Sequence, residues 1–99
     1  MIKLKIVSPM PDMLGLAFSG HTFRKEIEYQ LGMTAGNIMD ILAEENPGFK
    51  ELWEKKTCVA LETCLFAVDG TLARTDEGKW DIEIGDGVEL TMFMPYAGG

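Results

Sequence analysis

The sequence predicts an α+β roll, a mixed sheet of four to five strands with a helix packed across one face. Three observations carry that expectation. Segments of period two and period 3.6 follow one another as two strands, a helix, then two or three strands. A hairpin followed by a helix that crosses the sheet, with later strands completing it, closes a single two-layer core. The 99 residues, 46% hydrophobic and 25% charged, have the size and composition of one folded domain and lie far from the regime of disordered chains.

Taken in order, Ile2, Leu4 and Ile6 alternate with Lys3 and Lys5, a strand with one buried face that ends at Ser8-Pro9. Residues 8–20 combine Pro9, Pro11, Gly15 and Gly20 with Met10, Met13, Leu14, Leu16 and Phe18, a long apolar loop that either packs on the body or faces a partner. From Thr22 to Leu31 a second strand keeps Phe23, Ile27, Tyr29 and Leu31 in odd register, with Lys25 the misfit. Thr34 is a good N-cap for a helix carrying Ala35, Ile38, Met39, Ile41 and Leu42 through about Glu45. Asn46-Pro47-Gly48 interrupts it, and Asn46 with Pro47 starts a short second helix whose stripe is Phe49, Leu52 and Trp53.

Leu65-Phe66-Ala67-Val68 then reads as a strand turned by Asp69-Gly70 into Thr71-Leu72, and Thr75-Asp76-Glu77-Gly78 as another turn. Trp80, Ile82 and Ile84 alternate with Asp81 and Glu83 as a further strand. Gly85-Asp86-Gly87 turns the chain into a last one, Val88, Leu90 and Met92 alternating with Glu89 and Thr91 as far as Phe93. The expected core holds Ile2, Leu4, Ile6, Ile38, Leu42, Val68, Leu90 and Met92. Residues 1–94 form the domain and 95–99 a flexible tail.

A net charge of -7 opposes binding to the phosphates of nucleic acid or to an anionic membrane face. The charge is uneven: residues 61–99 carry eight acids against Arg74 and Lys79, a balance of -6, while residues 1–60 carry eight acids against seven bases. An acidic surface near the end of the chain suits a basic groove on a protein partner, or simply keeps a small protein soluble. The two cysteines, Cys58 and Cys64, and the one histidine, His21, are too few for a structural zinc site, and no metal is expected. The cysteines read either as a redox or sulfur-relay pair or as two small buried hydrophobes in a reducing cytoplasm. His21, alone at a loop edge, reads as an exposed polar residue. No signal-peptide order or membrane-length apolar run is present, so a soluble cytoplasmic protein is expected. Spacing alone offers no phosphate loop, nucleophile elbow or paired acid and base.

The informative segment is Met92-Phe93-Met94-Pro95-Tyr96-Ala97-Gly98-Gly99. A strand that runs into two glycines presents an α-carboxylate on a tip free of side chains, which can thread a narrow active site and approach a nucleotide phosphate closely. Together with Gly85-Asp86-Gly87-Val88-Glu89-Leu90, Leu65–Leu72 and the earlier elements, this segment resembles the MoaD/ThiS family of ubiquitin-like, β-grasp sulfur carriers. That family has Asp-Gly-Asp-Glu before its final strand and Phe-x-Pro-x-x-Gly-Gly after it; here Val88 replaces the second Asp. The longer 8–20 and 46–62 segments bring the chain nearer the molybdopterin-pathway type, or a relative of the small archaeal modifiers, than the thiamin-pathway carriers.

The resemblance implies a carrier that is a substrate and not an enzyme, with no bound cofactor. A ubiquitin-activating-type adenylyltransferase (MoeB/ThiF-like), using ATP and magnesium, would adenylate the Gly99 carboxylate. A sulfur donor protein would convert it to a thiocarboxylate, and the large subunit of a molybdopterin synthase (MoaE-like) would use the sulfur. Phe93, Pro95, Tyr96 and Ala97 would hold the tail in the partner while Gly98 and Gly99 reach its active site. A protein modifier joined through Gly99 to lysines, a thiamin-pathway carrier and a plain interaction domain remain as alternatives.

Overall fold

The structure, a computed structural model, describes residues 1–55, 59–73 and 77–95. Cys58, the Thr75-Asp76 turn positions and Tyr96–Gly99 lie outside the described residues. The sheet has five strands, β1 (Ile2–Val7), β2 (Thr22–Ile27), β3 (Leu65–Val68), β4 (Thr71–Leu72) and β5 (Glu89–Phe93), in the order β2-β1-β5-β3-β4. The last strand therefore lies at the centre, parallel to β1 and antiparallel to β3. Three helices follow β2: α1 (Ala35–Glu45), α2 (Pro47–Lys55) and α3 (Val59–Thr63).

Helix α1 forms because Ala35, Ile38, Met39, Leu42 and Ala43 recur at helical spacing and all are buried. Its start is fixed by a capping box: Thr34 Oγ1 accepts from the Asn37 N–H at 3.2 Å and Asn37 Oδ1 accepts from the Thr34 N–H at 2.9 Å. Asn46 closes α1 through Nδ2, which donates to the Leu42 carbonyl at 2.9 Å, and opens α2 through its own carbonyl, which accepts from Lys50. Ile2, Leu4 and Ile6 of β1, Phe66 of β3, and Leu90 and Met92 of β5 meet α1 and Phe49 of α2 in one core. Val68, expected fully inside, packs against that core half-buried.

The 8–20 loop packs on the body. A 3-10 turn at Pro11–Met13 brings in Leu14, which is buried, while Leu16 and Phe18 lean on the core. Gly15 has φ +68, and a Cβ there would stand 2.7 Å from the backbone of Gly48 and Phe49, so glycine alone lets the loop close on α2.

Three expectations need correction. β2 stops at Ile27 and does not reach Leu31, because Ile27 pairs with Ile2 and β1 offers no further strand residue; Leu31 stands 92% exposed. Residues 77–81 form a 3-10 helix where a strand from Trp80 was expected, since Trp80 turns in to meet Trp53 and Phe66 with ring centroids 4.8 and 5.1 Å away. The alternation beyond it serves a single bridge, Thr34 to Glu83, in which the Ala35 N–H donates to Ile82 and the Ile84 N–H to Met33. Helix α3 was not foreseen at all.

Lys79 belongs to that 3-10 helix and is 1% exposed. Its ammonium donates to the Glu62 and Cys64 carbonyls just where α3 ends, and lies over the rings of Phe66 and Trp80 at 5.9 and 5.2 Å. A cation at the carbonyl end of a helix is favourably placed, and here it ties α3 to the start of β3.

Candidate functional site

The end of β5 is held on both sides. Phe93 pairs with Val7 of β1 and with Leu65 of β3, and the following Met94 N–H donates to the Val7 carbonyl at 2.8 Å. Met94 is buried and Pro95 half-buried, so the chain is fixed to the body up to that proline. Residues opposite one another across strands share a face of the sheet. Ile6, Met92 and Phe66 point to the helices, which leaves Val7, Phe93 and Leu65 as one row on the face that no helix covers among the described residues.

Phe93 is 43% exposed and Leu65 40% exposed, and Leu72, paired with Ala67 one rung along, is 61% exposed. Exposed apolar side chains gathered on one sheet face make it a candidate interaction surface. The sequence reading named Phe93 and Pro95 but missed Val7, Leu65 and Leu72. Val7 was readable: it falls on the odd face of β1, where Lys3 and Lys5 are charged and an apolar residue has no core to enter. Tyr96, Ala97, Gly98 and Gly99 lie outside the described residues, so the structure brings together only the root of the predicted site.

The next rung of that face carries Lys5 and Arg24, cross-strand partners, and the one after it Lys3 between Glu26 and Glu89. These groups line a shallow groove of about 280 Å³. On the sheet face the charged strand positions nearest the Phe93 row are therefore basic, Lys5 and Arg24, in contrast to the acidic balance of residues 61–99.

At the opposite end of β5, Asp86 accepts from the Met1 ammonium at 2.7 Å, and the Gly87 N–H donates to the Met1 carbonyl at 3.2 Å. The ammonium's hydrogen bond, then its charge, holds the Asp86 carboxyl below the usual carboxylate range, with a smaller contribution from the Gly87 N–H. Val88, where the family pattern has a second Asp, packs half-buried against the core. Cys64 is fully buried, its thiol donating to the Leu61 carbonyl at 3.2 Å, and His21 is exposed with Nδ1 3.0 Å from the Ser8 carbonyl. Among the described residues, no group of three or more His, Cys, Asp or Glu could hold a metal, and no helix is long and apolar enough to cross a membrane.

No protein-family model and no curated protein matches the chain. Solved structures do. Two crystal structures of small archaeal modifier protein 1 of Haloferax volcanii superpose with TM-scores of 0.59 and 0.57, at 20% and 18% identity. They cover 99% and 96% of this chain and 98% and 97% of their own. A protein described as molybdopterin converting factor, subunit 1, of Pyrococcus furiosus superposes with a TM-score of 0.52 at 19% identity, over 97% of this chain and 100% of that one. At these identities the likeness is one of fold, and the fold of this chain is the ubiquitin-like β-grasp.

Proposed function

We propose that the chain is a sulfur carrier of the MoaD/ThiS type, working with Gly99 as its terminal residue in molybdopterin biosynthesis. The single observation that carries the reading is a central strand whose last residue, Phe93, is 43% exposed on the sheet face opposite the helices and continues through Pro95 into Tyr-Ala-Gly-Gly. The four residues after Pro95 span at most about 14 Å, so the body stays outside a partner's active site while the glycines enter it.

A carboxylate is a poor electrophile. In the proposed cycle the Gly99 carboxylate oxygen attacks the α-phosphorus of ATP on a ubiquitin-activating-type adenylyltransferase, with magnesium there, and pyrophosphate leaves. A hydrosulfide equivalent from a sulfur donor protein then displaces AMP, leaving a thiocarboxylate, a soft nucleophile that the synthase large subunit uses. Phe93, Pro95, Tyr96 and Ala97 hold the tail in the partner, and Gly98 and Gly99 let the backbone pass beside the nucleotide without a Cβ. A second reading, conjugation of Gly99 to lysines of other proteins, draws support from the archaeal modifier, whose TM-scores exceed that of the molybdopterin factor subunit.

The test is mass spectrometry after incubation with ATP, magnesium, the adenylyltransferase and a sulfur source. The intact protein should exchange one oxygen for one sulfur at Gly99. Deleting Gly99 leaves the carboxylate up to about 3.6 Å short, and an error of even about 1 Å can cost about a hundredfold in rate. Equal charging of intact, shortened and extended forms sinks the carrier reading in favour of a plain interaction domain. Ladders on other proteins in cell extract, formed without pterin sulfuration, favour the modifier.

A further inference from the structure

Resting on the carrier reading, we propose that the adenylyltransferase surface that covers this sheet face has an apolar patch at the mouth of its tail channel and carboxylates about 7 Å behind it, facing Lys5 and Arg24. The distance is one rung, two residues of strand at about 3.3 Å each. The apolar requirement comes from Leu65 and Phe93, 40% and 43% exposed, and the half-buried Val7 beside them, which adjoin the root of the tail and have no helix over them among the described residues. The carboxylates follow from charge. In a protein of net charge -7, Lys5 and Arg24 sit side by side on the rung next to that row, and neither forms an ion pair among the described residues.

Two unpaired cations on one rung repel each other weakly until a partner supplies the opposite charge. The next rung reverses sign around Lys3, with Glu26 on one side and Glu89 on the other. A partner shifted by one rung would set its carboxylates against these two. The face thus selects one docking register, the one that brings the tail to the channel, and it does so against the protein's overall charge.

Steady-state pyrophosphate release by the purified adenylyltransferase of the same organism reads this directly. Lys5→Glu with Arg24→Glu is compared with Lys50→Glu with Lys55→Glu, two exposed lysines of α2; both double variants carry the same net charge. The first pair should raise KM at least tenfold in low salt with kcat little changed, and the effect should shrink as salt is added. The α2 pair should leave KM within about twofold. If the reversal disturbs folding, judged by circular dichroism, Lys5→Gln with Arg24→Gln replaces it and should raise KM about threefold or more. Equal KM increases from both pairs would assign the effect to net charge, and no increase from the sheet pair would remove the carboxylates; either overturns the proposal while leaving the carrier reading standing. No pyrophosphate release with the unaltered protein overturns the carrier reading itself.

Discussion

Replacing Lys79 by Met isolates the clamp at the end of α3. The stem is retained, so packing changes little, and the ammonium disappears. Two opposing quantities decide the sign. The Glu62 and Cys64 carbonyls lose their hydrogen bonds from the ammonium, and a hydrogen bond to a charged group is worth about 1.5–3 kcal/mol. The cation's contacts with the Phe66 and Trp80 rings, worth about 0.5–2 kcal/mol each when desolvated, are lost as well. Against this, a buried ammonium carries a desolvation penalty of several kcal/mol, which Met does not. The two carbonyls sit in the backbone and cannot be repacked away, so the balance should be a net loss of about 1–3 kcal/mol. At a slope of about 1.5 kcal/mol per M this lowers the urea midpoint by roughly 0.7–2 M. A midpoint unchanged or raised would show that desolvation outweighs the cap and that α3 and β3 are held by something else.

Three further outcomes are expected. Leu42→Ala, on the fully buried face of α1, should lose about 2–5 kcal/mol and lower Tm by at least about 8 °C; a loss under about 0.5 kcal/mol would mean that the face is not packed. Cys58→Ala with Cys64→Ala should still be charged with sulfur, because the proposed cycle places sulfur on the Gly99 carbonyl and Cys64 is buried; a folded double variant that cannot be charged restores the relay reading. The folded Asp86 pKa lies below its ordinary 3.8, so the stability from its pairing with Met1 is complete above that pH and fades as pH falls through the lower folded value. The difference in urea midpoint between the protein and Asp86→Asn should therefore narrow from pH 6 to pH 2.5, and a constant difference would dismiss the pairing.

What could be read in the sequence was whatever a single segment decides for itself. Ile2, Leu4 and Ile6 declare a strand, and Thr34 with the Ala35–Ala43 stripe declares a helix, because period and cap are local properties. The last strand and the Phe-x-Pro-x-x-Gly-Gly pattern were legible for the same reason. The misses all depend on distant partners. β2 ends where β1 begins, which no residue near Leu31 records. Trp80, Ile82 and Ile84 fit a strand by spacing, and only Trp53 and Phe66 decide that Trp80 turns inward. Helix α3, five residues long, is too short for periodicity to register and ends against a lysine sixteen residues downstream of Thr63. The basic rung beside the tail was invisible because Lys5 and Arg24 become neighbours only once the hairpin closes.

The placement of β5 also governs how the molecule bears load. Met1 lies at one end of the β1–β5 pair and Pro95 beyond the other, and the two strands run the same way with Lys3 to Val7 beside Glu89 to Phe93. A tension applied between Met1 and Pro95 draws the strands past each other along their length, so the ladder resists as a whole instead of opening bond by bond like a zip. An unfolding machine that pulls beyond Pro95 while the first strand is anchored thus meets the sheet in its stiffest direction.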